Sequence, residues 1–112
     1  GHWVCLWVEN NVIQYFDSYG LKPDQEAKYS YFVSKVLKHK YLTELLQNDG
    51  RKVSSNLYDL QKWSQNTSTC GRWVVLRLLF KELSHTQFHN LFEGNKMTPD
   101  MIVCYLTFLG LQ

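Results

Sequence analysis

The first seventeen residues constrain this chain more than any other stretch. Residues 2–9 (HWVCLWVE) are β-branched and aromatic almost throughout, Asn10-Asn11 follows, and residues 12–17 (VIQYFD) resume the apolar run. Side chains of this kind fit a pleated surface better than a helix. Asn tolerates positive φ and bonds its own backbone, so the pair supplies a tight turn. The reading is a β-hairpin whose first strand is buried on both faces.

Beyond the hairpin the period changes. Ser18-Tyr19-Gly20 breaks the second strand, and Pro23-Asp24, with Glu26 in the first turn, opens a helix. Tyr29, Phe32, Val33, Val36 and Leu37 then fall on one helical face. Residues 41–47 read as a second short helix, stopped by Asn48-Asp49-Gly50. Residues 53–61 (VSSNLYDLQ) alternate between two faces and read as a strand; residues 62–69 are polar and without period. From Cys70 a helix starts, with Val74, Val75, Leu78 and Leu79 facing inward, Trp73 in the core, and Arg72, Arg77 and Lys81 reaching water. Ser84 and Gln87 have capping-box spacing ahead of Phe88, Leu91 and Phe92, and Gly94-Asn95 ends that helix. Thr98-Pro99-Asp100 opens the last one, with Ile102, Tyr105, Leu106 and Leu109 on its apolar side. The order β-β-α-α-β-α-α-α describes an α+β domain, a small sheet built on an N-terminal hairpin and packed against helices. At 112 residues, positions 1–112 make a single domain.

Composition narrows the function classes. Four Trp, seven Tyr and six Phe argue against disorder. A formal net charge of +2 carries no field that would draw nucleic acid to the whole molecule. The apolar run at residues 73–76 is cut by Arg77, far short of a membrane span, so no membrane partner is expected. No basic-then-apolar leader opens the chain, so no signal peptide is expected. Three cysteines are an odd number and do not make a disulfide framework, which favours a reducing compartment.

Three residues are placed where a thiol hydrolase needs them. His2 begins the first strand and Asp17 closes the strand that returns beside it, so imidazole and carboxylate can meet across the hairpin. Cys70 stands in the first turn of an apolar helix, where the helix N-terminus favours a thiolate and an adjacent imidazolium favours it further. Gly71 lets the backbone approach a substrate carbonyl closely. A cysteine nucleophile needs a base in reach and a group to orient that base, and His2 and Asp17 are of the right types. Taken singly, each has a plainer reading: a small buried hydrophobe, a structural histidine, a turn-forming Asp. Their joint order is what counts: Gly1-His2-Trp3, then Asp17-Ser18-Tyr19-Gly20, then Thr69-Cys70-Gly71.

On these residues the chain resembles the cysteine proteases that unite adenovirus protease with the SUMO- and ubiquitin-like deconjugating enzymes. The family pattern is His-Trp on a strand, an acid later, then a Gln shortly before Cys-Gly. His2-Trp3, Asp17 and Cys70-Gly71 match it in order, with gaps of 15 positions (2 to 17) and 53 positions (17 to 70) close to the family's. Leu60-Gln61, the run from Thr69 through Trp73, and Thr98-Pro99-Asp100-Met101-Ile102-Val103 are most similar to the viral branch, the capsid-maturation proteases of giant DNA viruses, virophages and Polinton-type elements.

The resemblance implies a papain-like, adenain-like core in which His2 is the general base, Asp17 its orienting partner and Cys70 the nucleophile. It implies an oxyanion hole made by the backbone N–H of Cys70 and a Gln side chain. The family's Gln lies six or seven residues before its Cys, whereas this chain has Gln61 at nine and Gln65 at five. Gln61, which follows Leu60 as in the viral branch, is preferred, with Gln65 the alternative. Trp3 and Gly71 would border the substrate, although packing is the first expectation for Trp3. Relatives carry tens of residues before the histidine, so the resemblance also implies a missing N-terminal portion that supplies cleft walls.

The implied activity is cleavage of viral capsid or core precursor proteins near Gly-Gly or Gly-X sites, in the virion and the host-cell cytoplasm. Two other readings stay open: deconjugation of a ubiquitin-like modifier, and an inactive protease-like binding domain. The protein substrate is the expected partner, with a DNA or peptide activator also open. No cofactor is expected.

His85 and His89 share a helix face, but Thr86 breaks the HExxH pattern and no third ligand is evident, so no metal site is expected. Lys35, Lys38, His39 and Lys40, with Arg51 and Lys52, form a basic patch that reads first as a solvated helix end. Asn66-Thr67-Ser68 is a glycosylation sequon without meaning in a reducing compartment. Cys5 and Cys104 lie in apolar runs and read as buried and inert.

Overall fold

The fold is seen in a computed structural model that describes residues 2–25, 41–56, 58–61 and 69–110. Strands β1 (Cys5–Glu9) and β2 (Val12–Phe16) pair antiparallel, from Cys5 opposite Phe16 to Glu9 opposite Val12. Asn10 and Asn11 have φ of 51° and 62°, the left-handed pair that a two-residue hairpin turn of matching twist requires.

Helix α1 (Tyr41–Asp49) carries the chain back to β3 (Val53–Ser55), which lies parallel to β2. Gly50, at φ 83°, ends α1 in the conformation a residue with a Cβ resists. The sheet order is β1-β2-β3, so the hairpin's second strand is the central one. Position in the sheet corrects the burial expected for the first strand. Leu6 and Val8 of β1 are exposed, whereas Ile13, Tyr15 and Phe16 of β2 are buried. β1 is an edge strand, whereas β2 is the central one, and its Tyr15 and Phe16, which point to opposite faces, are both buried.

The strand expected through residue 61 ends at Ser55. Asn56 is the reason. Its amide group accepts from Asp17 N at 2.9 Å and donates to Asp17 O at 2.6 Å, replacing the next rung of the ladder with a side chain. The chain then bends, so that Leu60 N and Gln61 N both donate to Ser18 O. Pro23 and Asp24 form a turn with Asp24 at φ 68°, and the Asp24 carboxylate accepts from Thr43 N at 2.7 Å in the first turn of α1. The helix face expected from Tyr29 to Leu37, most of the basic patch and the sequon lie outside the described residues.

Helices α2 (Cys70–Leu79), α3 (His85–Asn90) and α4 (Pro99–Gly110) complete the described fold, a small α+β arrangement of three strands and four helices. Ser84 and Gln87 form the capping box. The core joins Phe16, Leu60, Trp73, Leu76, Phe88, Phe92 and Val103. Its aromatic rings meet edge to face, Phe16 on Phe88 at 5.6 Å and Trp73 on Phe92 at 4.9 Å, the geometry ring quadrupoles favour.

The inward faces of two helices differ from the expectation. On α2 the buried stripe is Cys70, Trp73, Leu76 and Arg77, while Val75, Leu78 and Leu79 are exposed. On α4 Val103 and Thr107 are buried and Tyr105 and Leu106 are exposed. Runs of apolar residues all around a helix leave its rotation undetermined; the large Trp73 ring decided it here.

Arg77, expected at water, is 1% exposed. Its guanidinium donates to Phe80 O at 2.9 Å and Leu83 O at 2.8 Å, and lies 4.8 Å from the Trp7 ring and 4.9 Å from the Phe88 ring. These carbonyls just past α2 and the ring faces replace part of its water shell, while Nε is buried without a hydrogen-bond partner among the described residues. The third contact is Nη2 on His85 Nδ1 at 3.3 Å, and His85 Nε2 meets Ser54 O at 3.1 Å. A carbonyl can only accept, so Nε2 carries the proton and Nδ1 is the acceptor for Arg77. Burial, with the Arg77 charge adding to it, pushes the His85 pKa down. His89 goes elsewhere, 4.8 Å from the Tyr58 ring and 3.5 Å from Glu93. Among the described residues no three His, Cys, Asp or Glu side chains cluster as metal ligands, and no helix is long and apolar enough to cross a membrane.

A depressed histidine pKa means the unfolded chain binds the proton more readily. Stability tied to His85 is therefore present above the ordinary histidine pKa of about 6.5 and is lost as pH falls below it. Urea unfolding at pH 7 and pH 5 should give a larger loss for wild type than for His85→Gln. Equal losses would show that the His85 proton plays no part.

Candidate active site

The hairpin places its two open ends side by side. His2 Nε2 lies 2.9 Å from Asp17 Oδ1, as the sequence spacing predicts. The Asp17 carboxylate has no solvent exposure, and Oδ1 also accepts from Tyr19 N at 2.8 Å. The Tyr19 ring stacks on the imidazole, centroids 4.8 Å apart and planes 28° from parallel. The imidazole is thereby held from below by a carboxylate and along one face by a ring.

The third residue arrives on α2. Cys70 is buried in the first turn, and its Sγ accepts from Trp3 N at 3.4 Å. The hydrogen bond to Asp17 is the largest influence on His2 and raises its pKa; the Asp17 charge and the Cys70 side chain raise it further, against the opposing effect of burial. His2 is thus in contact with both Asp17 and Cys70, residues 15 and 68 positions away (17 − 2 and 70 − 2). Cys5 is a useful contrast. Burial pushes its thiol up to about 11 even with Arg77 nearby, which makes it a poor nucleophile at neutral pH. Cys5 and Cys104 are half-buried rather than fully enclosed.

Two features set the start of α2. Asp100 Oδ1 accepts from Thr69 Oγ1 at 2.6 Å and from Trp73 Nε1 at 2.9 Å, tying the first turn of α2 to the first turn of α4. Thr69 spends its hydroxyl on Asp100 and gives no side-chain cap to the first amides of α2. The Trp3 indole lies against Gly71: a Cβ at 71 would sit 3.6 Å from Trp3 Cδ1. Trp3 is 66% exposed, so it is a wall beside the cysteine and not the core residue first expected.

Gln61 is 1% exposed. Its Oε1 accepts from Ser18 Oγ at 2.6 Å, and its Nε2 is buried with no hydrogen-bond partner among the described residues. Buried amide donors are almost always paired, and an exception asks for an explanation. Gln65, the alternative, lies outside the described residues. Arg72, left without a role by its sequence, donates to Thr107 Oγ1 on α4 at 2.9 Å.

Four residues at the site were not singled out by sequence reasoning: Ser18, Tyr19, Asn56 and Asp100. Ser18 and Tyr19 directly follow Asp17 and read from the sequence as strand breakers; Asp100 reads as a helix-start residue, which it also is. Asn56 sat inside an expected strand, and nothing in the local pattern marks it.

The described fold is α+β, and the described site is a Cys-His-Asp grouping, with Gln61 fastened to the Ser18 that follows the Asp and its Nε2 buried without a partner among the described residues. A protein of Sputnik virophage, "Uncharacterized protein V9", is 37% identical over 115 residues, an alignment that takes in 96% of this chain and 66% of that protein. The chain therefore spans just under two thirds of its relative's length. No family model matches the chain, and no solved structure matches it.

Asp17→Asn should lower the His2 pKa, because the hydrogen bond and charge that raise it are both weakened. An NMR titration of the imidazole protons would detect this, and an unchanged midpoint would remove Asp17 as the cause. Asp100→Ala leaves the Thr69 hydroxyl and the Trp73 indole N–H without their acceptor, which should cost about 2–3 kcal/mol. Urea unfolding followed by Trp fluorescence checks it; a loss near zero would mean Asp100 does not pin α2.

Proposed function

We propose that this chain is the catalytic domain of a viral-type cysteine endopeptidase, working through Cys70, His2 and Asp17 and a covalent acyl-enzyme. The observation that carries the reading is the convergence of these three side chains from three separate stretches, with His2 held on Asp17 at 2.9 Å. The Nε2 of Gln61, without a partner among the described residues, adds to it, since an oxyanion hole needs a donor kept free for the substrate. A helix that presents the cysteine at its first turn beside a small sheet is consistent with a papain-like, adenain-like core.

In this reaction the Cys70 sulfur attacks the peptide carbonyl, and the carbonyl π electrons move onto oxygen. That oxygen is held by the Cys70 backbone N–H and Gln61 Nε2. The tetrahedral intermediate collapses as His2 passes its proton to the leaving amine, giving the thioester. Water, deprotonated by His2, then attacks the thioester and releases the acid and the thiol. Asp17 keeps the imidazole oriented and favours its charged form throughout.

The 37% identity to a virophage protein favours the viral setting over deconjugation of a ubiquitin-like modifier. The substrate class is a capsid or core precursor cleaved near Gly-Gly or Gly-X, and the site of action the virion and host-cell cytoplasm. The exposed Trp3 indole over Gly71 narrows the approach to Cys70, which suits residues without bulky side chains.

The test is low-concentration iodoacetamide at pH 6, followed by peptide mass mapping. Cys70 should be alkylated in strong preference to Cys5 and Cys104. Cys70→Ala should keep the fold and lose hydrolysis of a Gly-Gly fluorogenic peptide down to background. Equal labelling of the three cysteines, or turnover by Cys70→Ala, would end the proposal.

A further inference from the structure

We infer that Ser18 is the positioning residue of the oxyanion donor, holding the Gln61 amide so that its Nε2 is turned toward the substrate oxygen. This deepens the protease reading and rests on it. Ser18 is 1% exposed and so is Gln61. A separation of 2.6 Å between Ser18 Oγ and the amide suits an O–H donor meeting a carbonyl oxygen and is short for an N–H donor. The hydroxyl therefore gives its proton to Oε1, and the amide can face only one way. Nε2 is left as the free end, buried and without a partner among the described residues.

The backbone repeats the connection. Ser18 O accepts from Leu60 N at 2.8 Å and from Gln61 N at 2.9 Å, so Gln61 is fastened to Ser18 through both main chain and side chain. Ser18 is also the covalent neighbour of Asp17, whose carboxylate holds His2. Asp17 and Ser18 thus control the two halves of the reaction separately: the proton-transfer half through one side chain, the charge-stabilising half through the next. Ser18 itself touches no reacting atom.

That division gives a readout a structural role would not move. A peptide aldehyde ending in Gly-Gly forms a bond from Cys70 Sγ to its carbonyl carbon, the π pair moves to oxygen, and that oxygen takes a proton from His2. Its binding uses the oxyanion hole. Alkylation by iodoacetamide displaces iodide at a saturated carbon and does not. Ser18→Ala should lower kcat on the matching Gly-Gly amide by roughly tenfold or more with little change in KM, short of the 10²–10³ typical when the donor itself is removed. The aldehyde should bind more weakly by a similar factor. The iodoacetamide rate at Cys70 and its pH profile should match wild type.

A double-mutant cycle guards against a folding artefact. On a Gln61→Ala background, Ser18→Ala should cause no further loss, because there is no amide left to orient. Wild-type turnover and aldehyde affinity in Ser18→Ala would overturn the inference and leave the protease reading standing. So would an equal fall in alkylation, which would place the effect on the His2–Cys70 pair or the fold. A wild-type chain that neither hydrolyses the peptide nor labels at Cys70 would overturn both.

Discussion

The buried carboxylate of Asp17 organises what surrounds it, and it does so through Oδ1, since Oδ2 is buried with no hydrogen-bond partner among the described residues. Its Oδ1 takes protons from His2 and from the Tyr19 amide, and its own N–H and C=O are both held by the Asn56 side chain. The hairpin end, the exit from β3 and the bend toward Gln61 are all set by residues that bind Asp17 or its neighbour Ser18.

The other half of the site depends on where α2 begins. Trp73 fills the core and lends its indole N–H to Asp100, while Thr69 lends its hydroxyl to the same oxygen. Core packing and the placement of Cys70 are therefore one problem, solved by a single carboxylate on α4. The sulfur then meets the Trp3 amide from the approach to β1, so all the parts of the site lean on the sheet and on two helices. Only Cys70 lies within a helix or strand; His2 and Asp17 flank β1 and β2, so the cluster is held at the ends of rigid elements.

Local pattern carried much of the fold. The Asn10-Asn11 turn, the end of α1 at Gly50, the capping box of α3 and the start of α4 at Pro99 all follow from the φ angles and side-chain hydrogen bonds of a few residues. So did the approach of His2 to Asp17, because a two-residue turn brings the hairpin's open ends together. Misreadings came where a residue's environment is supplied from far away. Arg77 reads as a surface residue, since nothing nearby in sequence tells that Trp7 and Phe88 will flank it or that His85 will accept its proton. The short β3 and the rotation of α2 and α4 have the same origin.

What this sequence determined by itself is a hairpin with a histidine and an aspartate at its open end, a cysteine at a helix start, and enough aromatic surface for one core. Those properties depend on neighbours within a few residues, and the backbone's steric limits act at that range. The tertiary structure alone decided that Gln61 is buried with its Oε1 on Ser18 and its Nε2 without a partner among the described residues, that Asn56 and Asp100 hold the frame, and that Trp3 is exposed beside Gly71. These depend on contacts between residues 27 to 68 positions apart, counting from Trp73–Asp100 to Trp3–Gly71, whose energies come from desolvation. That quantity exists only once the chain has closed around them.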